Sequence, residues 1–299
     1  MKVSVKGRIN QIPHLNDFLD DRNHELQIDD QMDCVAVTSH QVFYLIKKKY
    51  PPVIGHIVVW CNYFWHEMLP KMKPTRKLYF FFSGERQRLY SRAEILGRIC
   101  RAGFKIEKDV LENGALHIVA TKRSEPLERD DTCESPLLRM MRTGKDGKLI
   151  KVYKFRTMHS YSQYIQDYVY EHNKLDHSGK LTNDFRVNFW GRLFRSAWLD
   201  EFPMILNVLK GDMKWVGVRP LTPHFFSLYT PEMQELRSKV KPGLLPPLYY
   251  EKKTPIGLDE VQESERRYIE AYLEHPFRTD WKYFWGIVSN ILFRSKRSQ

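Results

Sequence analysis

The segment from Phe194 to Pro220 constrains this chain most, because it fixes a helix start and its charges within one short run, FRSAWLDEFPMILNVLKGDMKWVGVRP. Asp200 and Glu201 are adjacent carboxylates at the start of this helix, and Pro203 suits its first turn, where the missing N–H costs nothing. Gly211 supplies the stop after apolar residues that repeat at helical spacing: Phe202, Ile205, Leu206 and Leu209. The segment predicts a short helix that begins with two carboxylates.

Two arginines accompany these carboxylates: Arg195 lies shortly before Asp200, and Arg219 lies near the end of the segment. A helix start exposes unpaired N–H groups and the positive end of a dipole, which suits a phosphate. Asp is also a common structural N-cap, and Glu is common in a first turn. The spacing alone therefore leaves a structural helix cap and a phosphate-handling site both open.

A second pair of cations lies upstream in a predicted hairpin. Leu137–Arg142 and Lys148–Met158 alternate as strands around the turn Asp146-Gly147. The second strand places Lys154 and Arg156 on one face, because alternate side chains of a strand share a face. Such a pair is either a solvated strand edge or an anion site.

Charge and aromatic content restrict the class of partner. The chain has 299 residues, a formal net charge of +12 and 13% aromatic residues. A basic protein suits nucleic acid, an acidic membrane surface or a phosphorylated substrate. Basic residues are spread along the chain without a helix-turn-helix or RNA-binding signature, so nucleic acid is not expected as a partner. The four cysteines are isolated, which is typical of reduced thiols and predicts no structural metal.

Membrane features are weak in the sequence. The first residues lack the apolar core of a signal peptide, and no clean span of about 20 apolar residues occurs. The uncharged run Tyr50–His66 is expected to be buried or interfacial. Asp280–Gln299 predicts a C-terminal amphipathic helix capped by Asp280, with basic residues at its end. Its apolar stripe (Trp281, Phe284, Trp285, Val288, Ile291 and Leu292) suits a membrane surface or the core of the domain equally well.

The pattern predicts an α/β chain in two parts: a small α/β unit over 1–122 and an α+β domain over 137–299, joined by a polar linker, 123–136. The first part has no GxGxxG or P-loop and is expected to be accessory. Its predicted elements are strands at Cys34–Val37, Gly55–Trp60 and Lys77–Phe82, helices at Gln41–Lys49 and from Ser91 to Gly103, and a hairpin around Asn113-Gly114. Helices are predicted in the second part at Ser160–Asn173, Phe189–Trp198, Pro231–Val240 and Leu258–Glu274.

Several motifs in order give the chain a family resemblance between Ser135 and Gly243. They are Arg142-Thr-Gly-Lys-Asp-Gly-Lys148, Tyr153-Lys-Phe-Arg-Thr-Met158, Asn183-Asp-Phe-Arg-Val187, Leu199-Asp-Glu-Phe-Pro203, Asn207-Val-Leu-Lys-Gly-Asp-Met213, Val216-Gly-Val-Arg-Pro220 and Lys241-Pro-Gly243. This series resembles the bacterial sugar transferases that act as monotopic phosphoglycosyl transferases.

The resemblance implies transfer of a phosphosugar from a nucleotide diphosphate sugar to a polyprenyl phosphate, the first step of exopolysaccharide, capsule or O-antigen assembly. It implies that Asp200 is the nucleophile that forms an aspartyl-phosphosugar intermediate, and that Asp200 and Glu201 hold Mg²⁺. Glu201 would either help to place this metal or orient the nucleophile, and the sequence does not separate the two roles. Arg195 matches the phosphate-contacting position. Lys154, Arg156 and Arg219 are candidates for the rest of the diphosphate site.

The chain departs from the family pattern at several places. The family's apolar re-entrant helix is replaced by the polar linker and Ser135-Pro136, and the usual Gly-Pro-Arg-Pro reads Gly217-Val-Arg-Pro220. We therefore expect a peripheral protein on the cytoplasmic face of the bacterial inner membrane. A related transferase with another acceptor, a non-catalytic scaffold of the pathway and a homo-oligomeric state remain open alternatives.

Overall fold

A computed structural model describes residues 2–83, 88–130, 133–172, 184–251, 253, 255 and 257–294. The chain is of the mixed α/β class, as predicted, and divides into two compact units. Unit 1 contains Met1–Pro136 and Met158–Asn188, and unit 2 contains Leu137–Thr157 and Phe189–Gln299. The predicted division into domains at 1–122 and 137–299 stays a prediction, although residues 158–188 lie with unit 1.

Unit 1 is built on a sheet of four strands: β1 (Lys2–Arg8), β2 (Gln31–Ala36), β3 (Phe104–Glu112) and β4 (Ala115–Lys122). Their order is β1-β2-β4-β3, in which β1 and β2 are parallel and the other pairs antiparallel. The β3–β4 turn is the predicted Asn113-Gly114, both with positive φ, which matches the twist of a hairpin. The strand at Cys34 and this hairpin are confirmed.

The described residues of unit 1 form six α-helices. They are α1 (Leu15–Glu25), α2 (Ser39–Lys49), α3 (Pro52–Tyr63), α4 (Lys73–Ser83), α5 (Arg92–Arg101) and α6 (Gln166–His172), the last preceded by a 3-10 turn at Ser162–Ile165. Of these helices, α1, α5 and α6 supply residues to the core on this sheet. The predicted cap of α5 is confirmed, because the Ser91 hydroxyl accepts the Glu94 N–H. Ile165, Tyr168 and Val169 enter the core with Ile95 and Ile99 of α5. This packing holds the 3-10 turn and α6 in unit 1.

Two predicted strands are wrong. Gly55–Trp60 lies in α3 and Lys77–Phe82 lies in α4. Pro52 occupies the first turn of α3, where proline favours a helix. Short apolar runs have no periodicity that separates the two structures, so their length misled the prediction. The run Tyr50–His66 was expected to be buried or interfacial. The buried alternative is wrong for most of α3, in which Gly55 is the buried residue, and the interfacial alternative stays a prediction.

The predicted polar linker is tied down along the part that the structure describes. The backbone N–H groups of Arg123 and Ser124 donate to Gly103 O, and that of Leu127 donates to Arg101 O. Glu134 is buried beside Arg98. The charged residues of this segment are typical of a solvated linker in the sequence. In the structure, the segment instead forms hydrogen bonds and an ion pair with unit 1.

Unit 2 begins with the predicted hairpin, β5 (Leu137–Thr143) paired with β6 (Leu149–Phe155). The remaining elements are α7 (Phe189–Ser196), a 3-10 turn at Leu199–Met204, α8 (Ile205–Leu209), β7 (Lys214–Val216), α9 (Pro223–Ser227), α10 (Pro231–Ser238), β8 (Gly243–Leu245), α11 (Gly257–Glu274) and α12 (Pro276–Arg294). The predicted helices at 189, 231 and 258 are confirmed within a few residues. The parallel pair β7–β8 was not predicted.

Two glycines explain two of the motifs in unit 2. A Cβ on Gly243 would lie 2.0 Å from the backbone nitrogen of Gly217. The N–H of Gly243 donates to Val218 O, and that of Gly217 donates to Leu245 O. Val216-Gly-Val-Arg-Pro220 and Lys241-Pro-Gly243 are therefore two sides of one close backbone contact.

The C-terminal helix starts earlier than predicted. It begins at Pro276, so Asp280 lies inside α12 and is not its cap. Asp280 instead accepts from Lys214 Nζ at 2.9 Å and from the Tyr268 hydroxyl at 2.7 Å. Phe284 and Ile291 pack against the core, whereas Trp281 and Trp285 are exposed. The predicted basic end at Lys296 and Arg297 lies outside the described residues.

Neither α12 nor any other helix among the described residues combines the length and apolar character needed to cross a membrane.

Candidate active site

Asp200 and Glu201 lie in the 3-10 turn Leu199–Met204, and α8 follows directly. The predicted helix start is thus confirmed in position, with a tighter first turn. Both carboxylates are buried, at 6% and 9% exposure. Trp198 precedes the turn with a left-handed backbone (φ 60°), a conformation that is unusual for a bulky residue and typical of functional sites.

Lys154 of β6 joins the two carboxylates. Its Nζ lies 2.5 Å from Glu201 Oε1 and 3.8 Å from Asp200 Oδ2. Asp200 Oδ1 is buried and has no hydrogen-bond partner among the described residues. Burial raises the pKa of Asp200; Lys154 and Arg195 counteract this shift, while the Glu201 charge adds to it. Glu201 is therefore paired with Lys154, whereas Asp200 keeps one oxygen, Oδ1, without a hydrogen-bond partner among the described residues.

Asn207 fixes the distance between this turn and the strand that carries Lys154. It is fully buried; its Oδ1 accepts from Tyr153 N at 3.1 Å and its Nδ2 donates to Lys151 O at 2.7 Å. Both partners belong to β6, next to Lys154. The sequence showed Asn207 within a motif, but nothing in its spacing indicated this positioning role.

The structure brings Arg195 to the same place. Its Nε donates to Thr157 Oγ1 at 2.9 Å, and its charge lowers the pKa of Asp200. Gly191 makes this approach feasible, because a Cβ there would lie 1.9 Å from Thr157 O. Helix α7 therefore packs directly against the end of the hairpin and points Arg195 toward the carboxylates.

Arg219 belongs to the same electrostatic environment through Tyr249. The pKa of Tyr249 is raised to about 12, chiefly by burial; the Glu201 and Asp200 charges contribute to this rise and Arg219 opposes it. Arg142 is linked to Arg219 in turn, since burial and the Arg219 charge lower the pKa of Arg142. Sequence reasoning missed Tyr249, which lies in a proline-broken stretch without periodicity, and Arg142, which was quoted only as part of a motif.

Arg156 was predicted to share a strand face with Lys154. Strand β6 ends at Phe155, so Arg156 follows the strand and is half-buried there. Its proposed contact with substrate stays a prediction.

The carboxylates can be tested for the predicted metal. Asp200 Oδ1 is an open, buried oxygen, and Glu201 is its neighbour. The described residues contain no group of three or more His, Cys, Asp or Glu side chains able to hold a metal. Magnesium commonly takes one or two carboxylates together with substrate phosphates and water. The donor set fits such a shared ion, and the described residues form no all-protein metal cage.

A buried carboxylate with an open oxygen thus lies beside Lys154 and within the electrostatic reach of Arg195, and cations of this kind suit a phosphate. Residues 128–294 match the family described as bacterial sugar transferase, and the chain belongs to that family.

Three relatives illustrate the similarity. "Uncharacterized sugar transferase EpsL" of Bacillus subtilis is 41% identical over 107 residues, 36% of this chain and 46% of that protein. The UDP-glucose:undecaprenyl-phosphate glucose-1-phosphate transferase of Escherichia coli is 40% identical over 110 residues, 36% of this chain and 22% of its own length. Exopolysaccharide production protein ExoY of Sinorhizobium fredii is 32% identical over 156 residues, 50% of this chain and 63% of its own length. The chain thus spans less than half of the first two.

Proposed function

We propose that this protein transfers a phosphosugar from a nucleotide diphosphate sugar to a polyprenyl phosphate and so begins the assembly of a surface glycan. The observation that carries the proposal is the open, buried Oδ1 of Asp200 beside a neutralised Glu201. The names of the Escherichia coli and Sinorhizobium fredii relatives support the substrate class and the pathway.

In the first step, Asp200 Oδ1 attacks the phosphorus that carries the sugar. A bond forms between Asp200 and that phosphorus, and the bond to the bridging oxygen of the diphosphate breaks. The nucleoside monophosphate leaves with the electron pair. A carboxylate is ionised at neutral pH and therefore needs no general base. Burial raises the pKa of Asp200, and a more basic carboxylate is a better nucleophile than that of an exposed Asp.

In the second step, a phosphate oxygen of the acceptor attacks the same phosphorus. The Asp200–phosphorus bond breaks, the carboxylate is restored, and the product is a lipid diphosphate sugar. Both steps bring anions together, so cations must offset the charge. Arg195 and Arg219, with Lys154 and Arg156, are assigned to the phosphates of donor and acceptor.

Lys154 neutralises Glu201, because its Nζ contacts that carboxylate, and it also binds substrate phosphate. A magnesium ion held by Asp200 and Glu201 would supply charge neutralisation to the phosphates when bound. Glu201 orients Asp200 and Lys154. Asn207 keeps the turn that carries Glu201 against β6.

A lipid-borne acceptor implies that the enzyme works at a membrane, and we place it peripherally on the cytoplasmic face of the inner membrane. The exposed edge of α12 (Phe277, Trp281 and Trp285) is a candidate contact. Removing the chain after Thr279 would also remove buried Tyr283 and Ile287, so Trp281→Ser with Trp285→Ser is the better test. Reduced sedimentation with anionic vesicles is the expected result.

The activity is tested by measuring release of nucleoside monophosphate from a panel of nucleotide sugars, with and without polyprenyl phosphate. We expect one or a few donors to react, and turnover to require the lipid phosphate. Turnover with a different phosphorylated acceptor would establish the related-transferase alternative instead. Absence of release from every donor would favour a non-catalytic scaffold.

A further inference from the structure

Helices α2 and α3 of unit 1 carry several large apolar side chains that are exposed. Val53, Ile57 and Trp60 of α3 recur at intervals of three to four residues with Phe64, which follows the helix in helical conformation, and the four therefore share one face. These side chains are 74%, 57%, 49% and 54% exposed. We call them the α3 face. Exposed apolar side chains that lie together typically mark an interaction site, whereas singly exposed ones are ordinary.

Helix α2 adds aromatic and basic groups beside this face. Phe43 of α2 and Tyr63 of α3 pack with ring centroids 6.3 Å apart, so the two helices lie side by side. Tyr44 and Leu45 are exposed on α2. The same helix ends in three exposed lysines, Lys47–Lys49, directly before the turn into α3.

The charge of the surrounding sequence selects the partner. Residues 34–66 contain no Asp or Glu, so the lysines have no local acidic neighbour in the sequence. The next acidic residue, Glu67, is buried and therefore does not offset their charge at the surface. Exposed Trp and Tyr beside Lys, without acidic residues, is the composition that favours the headgroup region of an anionic membrane.

The geometry restricts how such a surface meets a bilayer. Helix α3 has 12 residues, which is about 18 Å and far less than the hydrocarbon core of about 30 Å. A shallow groove along α3, lined by Pro52, Val53, His56, Ile57, Trp60 and Cys61, has a volume of about 560 Å³. The helix is thus suited to lying in the plane of the interface.

We infer that the α3 face, together with Lys47–Lys49, docks unit 1 onto a membrane surface that contains anionic lipid. The inference rests on the proposed function only in that a lipid-borne acceptor makes membrane binding useful. Binding itself needs neither Asp200 nor a nucleotide sugar. This surface is separate from the α12 edge, which belongs to unit 2.

The test is sedimentation of the full chain with phosphatidylcholine vesicles, with and without phosphatidylglycerol. Ile57→Ser is compared with Leu111→Ser, because Leu111 is 58% exposed on β3 of the same unit. The double variant Lys47→Gln with Lys48→Gln is compared with Lys105→Gln with Lys108→Gln, which are exposed lysines of β3. All are also made in the Trp281→Ser/Trp285→Ser chain, in which any binding through α12 should be weaker.

We expect Ile57→Ser to weaken binding by about tenfold, since it removes buried apolar area at the interface. The lysine pair should weaken binding to anionic vesicles by about tenfold or more, with a smaller effect at high salt. The β3 controls should bind like the parent chain.

Equal binding by Ile57→Ser and Leu111→Ser, or by the two lysine pairs, would overturn the inference. A dimer seen by light scattering, with no binding to either vesicle, would overturn it in favour of a second copy as the partner. Nucleoside monophosphate release with detergent-solubilised acceptor is measured in parallel. If the parent chain binds vesicles but releases no nucleoside monophosphate, the proposed activity is refuted and the inferred docking surface still stands.

Discussion

Each unit buries a cluster of charged side chains, and the two clusters are balanced in opposite ways. In unit 1, each carboxylate oxygen of Glu94 and Glu134 lies within 4 Å of a cation. Glu134 Oε2 has no hydrogen-bond partner among the described residues, but Arg76 Nη2 lies 3.6 Å from it. We call this group the closed cluster; its cations are Lys71, Arg76, Arg88 and Arg98. In unit 2, Lys154 is the cation in contact with Asp200 and Glu201, and Asp200 Oδ1 has no hydrogen-bond partner among the described residues; this is the open cluster.

The pKa shifts differ in the same sense. Burial alone would raise the pKa of Glu94, but Lys71, Arg98 and Arg88 outweigh it and hold that pKa well below its usual range. Burial raises the pKa of Asp200, and Lys154 offsets this only in part. A closed cluster stabilises its unit in the ionised form, whereas an open one leaves an ionised group that a substrate can still satisfy.

The largest effect is expected from Asp200→Asn. Turnover should fall at least about 1,000-fold, the scale of losing a covalent nucleophile. The folded protein should be as stable as the parent or up to about 2 kcal/mol more stable, because the substitution removes a buried charge whose ionised form is disfavoured. Both are measured, by nucleoside monophosphate release and by urea unfolding. Glu235→Gln, an exposed carboxylate of α10, is the control. Residual turnover of more than a few per cent would rule out Asp200 as the attacking group.

The closed cluster should respond in the opposite way. Glu94→Gln leaves buried cations without their partner and should lower the free energy of unfolding by about 3–5 kcal/mol. Glu107→Gln, in the same unit, should change it by less than about 0.5 kcal/mol because Glu107 is exposed. Unfolding is followed by circular dichroism in urea. A Glu94→Gln protein as stable as the control would show that the two clusters do not differ.

Two fully buried asparagines separate support of the fold from support of the site. Each makes two hydrogen bonds to backbone groups. Asn207, in unit 2, bonds to β6, and Asn23, in unit 1, donates to Ala102 O and Ser124 O. Each change to Ala should lower stability by about 2–4 kcal/mol, since buried groups lose their partners.

Only Asn207→Ala is expected to lower kcat as well, with KM changed less, because it loosens the turn that carries Asp200 against β6. Steady-state kinetics at a temperature where both variants are folded would measure this difference. An equal fall in kcat for Asn23→Ala would mean that the loss reflects stability alone.

The smallest of these effects concerns Arg195→Lys. The substitution keeps the charge and loses the planar fork that can hold two oxygens. A charged hydrogen bond contributes about 1.5–3 kcal/mol, so kcat/KM should fall roughly 10- to 100-fold. Arg192→Lys is the matched control, because Arg192 is exposed on the same helix. Unchanged kinetics in both variants would remove Arg195 from the phosphate site.

Local signals in the sequence were sufficient for much of the fold. The Asn113-Gly114 turn, the Ser91 cap and the Gly211 stop depend on neighbouring residues, and each is confirmed. Helices α3 and α4 were mistaken for strands because a short apolar run carries no period. Strand β1 and the β7–β8 pair depend on partners distant in the chain, so no local pattern indicated them.

The site divides along the same line. Asp200, Glu201, Arg195 and Lys154 were named from the sequence, and the structure brings them together. Asn207 and Tyr249 act through long-range packing, which sequence spacing does not reveal. The closed cluster was also missed, because its members resembled a solvated linker and ordinary helix charges.

The central claim is that the open oxygen of Asp200 forms a covalent bond to the phosphosugar, and intact-protein mass spectrometry tests it most directly. The purified chain is incubated with its nucleotide sugar in the absence of acceptor, then digested and mapped. We predict one added phosphosugar on the peptide that contains Asp200, its loss on adding polyprenyl phosphate, and none in Asp200→Asn. An adduct on another residue, or lipid product formed by a protein that never carries an adduct, would contradict the account.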